Sequence, residues 1–373
     1  MRDNNQHILF VATEYEAGMR SYASAIIHAL WQKGDQVLIV IKREDYKRDF
    51  DDIPATCMTW ISYPTSKIGK AKFRFRPSSV IHAIENLVEE NDIRLIYSLT
   101  EELVLSSGIR RLQRRCPVLY TVHDAIHHDI KFKTIEAWAR DRILMARPQR
   151  LMLKRTRQIV TNSLEQQRHI KQFYPTHDVH YAPFPTLVND AISSGGSIVP
   201  ELQGIDSKYI LFFGNLLLYK GVHLLYDAYM NHPELQQLPL VIAGSGTLYF
   251  DLCPDARNVI LINRFIDDDE LKDLFSRAAT VVYPYISATQ SGVISIASYF
   301  GCHMVLSDLP FFVDTCRGYK GIEFFTSCDL DSMAQAVLRS IQSTESTKEI
   351  YDEIYNPKAL QNALNDIIST VLD

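Results

Sequence analysis

The sequence predicts an α/β protein made of two doubly wound parallel-sheet domains, and three observations carry that expectation. Strand-length apolar runs alternate with helical patterns along nearly the whole chain, the order that a parallel sheet with crossover helices needs. At 373 residues with 46% hydrophobic side chains, the chain exceeds one ordinary core and suits two. Residues 183–208 have little periodicity and include Ser193-Ser194-Gly195-Gly196-Ser197, so a linker is placed at 186–208. The expected first domain covers 1–185 and the second 209–356, with a closing helix over 357–373.

The elements follow in order. Residues 7–12 form an apolar strand, and after a loop Met19, Tyr22, Ala23, Ile26, Ile27 and Leu30 mark one face of a helix that Gly34 ends. Strands are expected over 36–41, 95–97, 118–122, 158–161 and 180–182, with helical patterns over 80–90 and 164–173. In the second half, Tyr209-Ile210-Leu211-Phe212-Phe213 ends at Gly214-Asn215, a short loop carries Lys220-Gly221, and Val222, Leu225, Tyr226 and Tyr229 recur at helical spacing. Strands 240–243 and 259–262 come next, the first followed by the turn Gly244-Ser245-Gly246. Asp267-Asp268-Asp269-Glu270 compensates the dipole of a helix beginning near Leu271. Finally Val281-Val282-Tyr283 ends at Pro284, a polar loop runs to Gly292, and residues 293–300 read as a helix stopped by Gly301.

Two of these strand-to-helix loops suit one anion. Lys220 supplies a cation at the first, and backbone N–H groups at Ser291, Gly292 and Val293 would point out of the second, where the helix dipole favours a phosphate. A surface lysine at a helix start would look the same in sequence, but without an anion its charge opposes the dipole. Together the two loops are expected to grip a diphosphate.

These residues resemble a two-domain glycosyltransferase of the GT-B fold, in the large retaining family 4, over nearly the whole chain. The resemblance implies two Rossmann-like domains facing across a cleft. It makes Gly214, Asn215, Lys220, Gly244, Thr289, Gln290, Ser291, Gly292 and Val293 donor-binding, with Lys220 and Gln290 at the reacting diphosphate and sugar. Asn263-Arg264-Phe265-Ile266 resembles the segment that frames the nucleotide base, which adds Arg264, Phe265 and Ile266 to the expected donor site. Three positions depart from the family pattern. Asn215 stands where an Arg is usual, and Ala288 and Ile296 stand where two Glu residues are usual, although Ala288-Thr289-Gln290-Ser291-Gly292-Val293 resembles a recurring subgroup.

The first domain offers two further loops. Thr13-Glu14-Tyr15-Glu16-Ala17-Gly18-Met19 lies where the family carries a glycine-rich loop, so Gly18 and Met19 are expected near the donor; an ordinary β–α turn would read alike. His123-Asp124-Ala125-Ile126-His127-His128-Asp129 follows the strand 118–122, and the resemblance implies a cleft role near the donor sugar for His123. Two other readings stay open there: Asp124 as a helix cap with exposed histidines, or His123, His127 and a nearby Asp as metal ligands. The expectation is metal-independent chemistry with no cofactor beyond the donor.

Charge divides the chain. Residues 1–185 hold 28 Lys+Arg against 21 Asp+Glu, net +7, and residues 186–373 hold 11 against 23, net −12, giving the −5 of the whole. Basic clusters lie at Lys67, Lys70, Lys72, Arg74, Arg76 with Phe73 and Phe75 interleaved, at Arg110, Arg111, Arg114, Arg115, and at Arg147, Arg150, Lys154, Arg155, Arg157. The first fits an anionic membrane surface or a plain solvated helix face; no nucleic-acid module is legible. No apolar run approaches membrane-spanning length, no signal core precedes the first strand, and the six scattered cysteines form no C-x-x-C pair. The expectation is a cytoplasmic protein with access to the inner face of the membrane. Its expected reaction moves a sugar from a nucleotide-diphosphate donor to a glycan or lipid-linked glycan. A non-catalytic GT-B subunit and a nucleotide-sugar epimerase are the alternatives.

Overall fold

The computed structural model describes residues 6–100, 104–125, 147–253, 256 and 258–373. The chain divides into two compact units, residues 1–185 with 357–373, and residues 186–356.

The first unit is built on a seven-stranded sheet of β1 (His7–Ala12), β2 (Gln36–Ile41), β3 (Met58–Ser62), β4 (Ile93–Ser98), β5 (Val118–Val122), β6 (Gln158–Thr161) and β7 (Asp178–Tyr181). The order is β3-β2-β1-β4-β5-β6-β7, and every pairing is parallel. Parallel strands buried on both faces need apolar side chains on both, and β2 is buried at every position. One face packs Tyr22, Ile26 and Ile27 of the helix Ala17–Leu30 together with Leu360, Leu364 and Ile368 of the terminal helix Pro357–Leu372. The other packs Val80 and Ile84 of the helix Ser78–Glu90 with Ile109, Met152 and Ile170.

The second unit carries a six-stranded parallel sheet of β8 (Tyr209–Phe213), β9 (Leu240–Ala243), β10 (Val259–Ile262), β11 (Ala278–Tyr283), β12 (Met304–Ser307) and β13 (Ile322–Phe325), in the order β10-β9-β8-β11-β12-β13. Helices Val222–Asn231 and Leu330–Gln342 pack on each other against it. Strand order reverses between β8 and β11, and such a reversal is where parallel sheets bind ligands beyond the carboxyl ends of their strands. The same reversal lies between β1 and β4 in the first unit.

Residues 186–208, read from the sequence as a linker, belong to the second unit. Asn189 caps a short helix through Ile192 N at 2.9 Å and also donates to Asp268, Val199 N donates to Asp273, and Ile192, Val199 and Leu202 are buried. Low periodicity signalled irregular structure there, not freedom.

Candidate active site

Glycines shape the loops at the carboxyl ends of β8, β9 and β11. Gly214 and Gly244 have φ of 143° and 147°, and a Cβ on Gly244 would sit 1.9 Å from the Gly214 carbonyl oxygen. That approach lets Gly214 N donate to Ala243 O at 3.0 Å and Leu216 N to Ser245 O at 2.9 Å, zipping the loop after β8 onto the loop after β9. Asn263 completes the brace, accepting from Gly246 N and donating to Gly246 O, both at 3.1 Å.

Lys220 ends a single turn of 3-10 helix, Leu218–Lys220, which Gly221 terminates at φ 67° before the helix Val222–Asn231. A Cβ at Gly221 would fall 1.8 Å from Pro284 O, so only glycine lets this loop close on the loop after β11. Ile286 N then donates to Tyr219 O at 2.8 Å. The Lys220 ammonium rests 3.8 Å from the Tyr285 ring centroid and 5.1 Å from that of Tyr219. Burial pushes its pKa down to about 8. Among the described residues no carboxylate forms an ion pair with it.

Tyr285 links this lysine to the next helix. Its buried hydroxyl lies 3.3 Å from Ser291 Oγ, and Tyr283 Oη donates to Val293 O at 3.2 Å. Ser295 Oγ donates to Gly292 O at 2.6 Å, fixing the first turn of the seven-residue helix Val293–Tyr299. Thr289, Gln290, Gly292 and Val293 are partly exposed beside it, and Asn215 is exposed on the facing loop. The structure therefore brings Gly214, Lys220, Gly244 and residues 289–293 to the carboxyl ends of one sheet.

The remaining expected donor residues are placed differently from one another. Arg264 donates through two nitrogens to Glu201 at 2.8 and 2.9 Å and through two to Glu270 at 2.7 Å each, and holds both carboxyls below their usual range. Its guanidinium is thus occupied within its own unit. Glu270 also accepts from Asp267 N at 3.0 Å, so the acidic run is a brace as well as dipole compensation. Ile266 is 4% exposed and packs inward, whereas Phe265 is 71% exposed. Ile296, one of the two positions where the resemblance expects a carboxylate, is a core residue.

In the first unit, the helix begins at Ala17, so Gly18 and Met19 lie in its first turn and the loop is only residues 13–16. A Cβ at Gly18 would meet nothing within 4 Å, so its glycine is not imposed by space. The loop is instead tied by Thr100, whose Oγ1 accepts from Thr13 N at 3.1 Å and Glu14 N at 3.2 Å across the β1/β4 reversal. Burial raises the Glu14 carboxyl, opposed by Lys42 and Arg74.

His123 is 2% exposed. Its Nε2 lies 2.9 Å from Leu99 O, its ring meets Tyr22 edge-on at 4.5 Å, and burial lowers its pKa. The neutral ring with Nε2 donating is the form this geometry holds. Gln166 receives the loop on its other side, donating to His123 O at 2.6 Å. His127, His128 and Asp129 lie outside the described residues, and with them the metal reading. Sequence reasoning missed Tyr285 and Thr100; each lies two residues beyond the end of a strand at a reversal point, where ligands bind in parallel sheets.

Comparison with known proteins agrees with this geometry. Residues 17–186 match the family described as Glycosyltransferase Family 4, and residues 207–343 match Glycosyl transferases group 1. Its fold is GT-B, and its two halves match glycosyltransferase families in turn. Among solved structures it is similar to Anabaena HepE in complex with UDP, at TM-score 0.70 and 15% identity over 98% of this chain and 100% of that one. WaaG, a glycosyltransferase involved in lipopolysaccharide biosynthesis, gives TM-score 0.63 at 13% identity over 97% of this chain and 99% of that one. In sequence, the D-rhamnosyltransferase WbpZ of Pseudomonas aeruginosa is 25% identical over 181 residues, 43% of this chain and 46% of WbpZ. An uncharacterised glycosyltransferase of Methanocaldococcus jannaschii is 38% identical over 86 residues, 22% of each chain. The matched regions thus span less than half the length of these curated relatives. No helix among the described residues of this GT-B chain is long and apolar enough to cross a membrane.

Proposed function

We propose that the protein transfers a sugar from a nucleotide-diphosphate sugar to a hydroxyl of a glycan or lipid-linked glycan, with retention at the anomeric carbon and without a metal. The observation that carries this reading is Lys220: a cation half-withdrawn from water, over an aromatic ring, with no carboxylate partner among the described residues. Holding such a charge is costly unless an anion completes the site. The crevice at a strand-order reversal is where parallel sheets bind nucleotides, and the HepE structures with UDP and UDP-glucose support a nucleotide-sugar donor.

In this mechanism the glycosidic oxygen leaves with the diphosphate, and the negative charge that builds there is met by Lys220 and the amides of residues 291–293. The departing phosphate oxygen accepts the proton of the incoming hydroxyl on the same face, so no protein nucleophile is required. Gln290 contacts the donor sugar or a phosphate. His123 acts through the loop that its bond to Leu99 holds in place. Acceptor binding is assigned to the first unit.

A second reading, a non-catalytic GT-B subunit that binds a nucleotide or glycan, is favoured by Ile296, where a buried aliphatic replaces a ligand carboxylate. Thermal shift with uridine, guanosine and thymidine diphosphates, followed by hydrolysis of the matching sugar donors, separates the two. A ligand at 100 times its Kd adds about 2.7 kcal/mol. Stabilisation with turnover supports the transferase, stabilisation without turnover supports the binding subunit, and neither effect with any nucleotide removes the donor site.

A further inference from the structure

The helix Lys67–Phe75 stands out from every other basic segment of the first unit. Ser66 caps it, accepting from Gly69 N at 3.0 Å. Phe73 fastens it to the unit at 7% exposure, edge-on to Tyr63 at 5.4 Å. Ile68 and Phe75 are 84% and 57% exposed, and Ile68 is the most exposed large hydrophobic among the described residues. Being seven residues apart they fall nearly in line along the helix, on the side away from Phe73.

Cations flank this apolar line, Lys67 on one side and Lys72 and Arg76 on the other. Lys67, Lys70, Lys72 and Arg76 are exposed and make no ion pair among the described residues. The Arg110 to Arg115 cluster is different, because Arg111 pairs with Glu85 and Arg115 with Glu89 at 2.5 Å. A solvated helix face recruits such counter-charges and does not present two large apolar side chains to water. An outward apolar line flanked by unpaired lysines is the pattern of a helix lying in a lipid interface.

We propose that the helix Lys67–Phe75 docks the protein on an anionic lipid surface, with Ile68 and Phe75 entering the acyl boundary and Lys67, Lys72 and Arg76 meeting the headgroups. Charge selects an anionic partner, and the apolar line selects one with a hydrocarbon layer beneath its charges. This inference does not rest on the sugar-transfer reading, since it uses no residue of the second unit and is measured by lipid binding alone.

The test is flotation of the full chain with vesicles of phosphatidylcholine alone or with about 30% phosphatidylglycerol. Binding is expected to be about tenfold or more tighter to the anionic vesicles and to weaken from 0.1 to 1 M salt as the Debye length falls from about 10 to about 3 Å. The Ile68→Ser/Phe75→Ser variant keeps every charge and should lose about tenfold in affinity. Lys67→Ser/Lys72→Ser/Arg76→Ser should lose about as much, together with most of the salt dependence. A fluorescence blue shift of Ile68→Trp on adding anionic vesicles reports insertion directly. No binding, equal binding to neutral vesicles, or affinity unchanged in Ile68→Ser/Phe75→Ser overturns the proposal. Equal affinity for duplex DNA would make the helix a general polyanion contact and overturn it too.

Discussion

The Lys220 ammonium lies 3.8 Å from the centroid of the Tyr285 ring, which joins the loop after β8 to the loop after β11 across the point where the strand order reverses. The ring faces offer a weak partner to a cation, worth roughly 2 kcal/mol when desolvated. A diphosphate offers a far stronger one. Lys220→Ala is therefore expected to cut nucleoside-diphosphate affinity and sugar transfer, with about 2.7–4 kcal/mol lost from the transition state. The thermal midpoint of the unliganded variant should stay level or rise, since the substitution removes a desolvated charge. Undiminished affinity and turnover would remove Lys220 from the site.

The pKa of Lys220, pushed down to about 8 by burial, gives a pH signature. Below that value the amine is charged and ready for an anion; above it, charge must be restored on binding. Diphosphate affinity should hold steady from pH 6 to 7.5 and fall towards about tenfold per pH unit above 8. Calorimetry at pH 8 in buffers of different ionisation enthalpy should show uptake of about half a proton. In the unliganded protein the sign is reversed for stability: the folded pKa is below the unfolded value, so this group's penalty eases as pH rises from about 8 towards about 10.4. Lys220→Ala should abolish the proton uptake, and an unchanged uptake in that variant would assign the proton to another group.

Much of this architecture was legible in the chain because buried parallel strands write themselves as apolar runs. β1, β2, β5, β6, β8, β9 and β10 have the bounds that hydrophobicity gives. β3, β12 and β13 were not identified, and for β3 and β13 the reason is physical. β3 is a half-buried edge strand mixing Thr59 and Trp60, and β13 carries Glu323 among aromatics, so neither shows a clean period. At the site, the glycines and Lys220 were visible because turn chemistry is local. The Arg264 clamp was not, because Glu201 lies 63 residues away and nothing local announces the pairing. Tyr285 was equally hidden, since its partner Lys220 comes from another loop.

Gly221 carries a steric prediction. With φ at 67° and Pro284 O only 1.8 Å from any added Cβ, alanine here must push the two loops apart. Strain and overpacking together should cost about 1–3 kcal/mol of stability, and the displaced Lys220 should weaken diphosphate binding as Lys220→Ala does. Gly18→Ala is the control, since its Cβ would meet nothing within 4 Å and its stability should change by less than about 1 kcal/mol. A Gly221→Ala protein with wild-type midpoint and wild-type affinity would show that the close approach of the loops is not needed.

His123 and Leu99 test whether the buried imidazole meets substrate or holds a loop. Removing the ring in His123→Ala strands the Leu99 carbonyl and leaves a cavity beside Tyr22, which together should cost about 2–4 kcal/mol. Turnover should fall along with the midpoint, while nucleotide affinity, which the proposed function places at Lys220 and residues 291–293, should change little. His123→Gln places an amide near the Nε2 position and should recover much of both losses. The pH dependence gives the sign: burial lowers the folded pKa, so the unfolded chain binds the proton more readily and stability is lost as pH falls below about 6.5. That acid limb should be shallower in His123→Gln, which cannot titrate. If His123→Ala keeps the wild-type midpoint yet loses turnover, the ring contacts the reacting sugar directly and its bond to Leu99 is incidental.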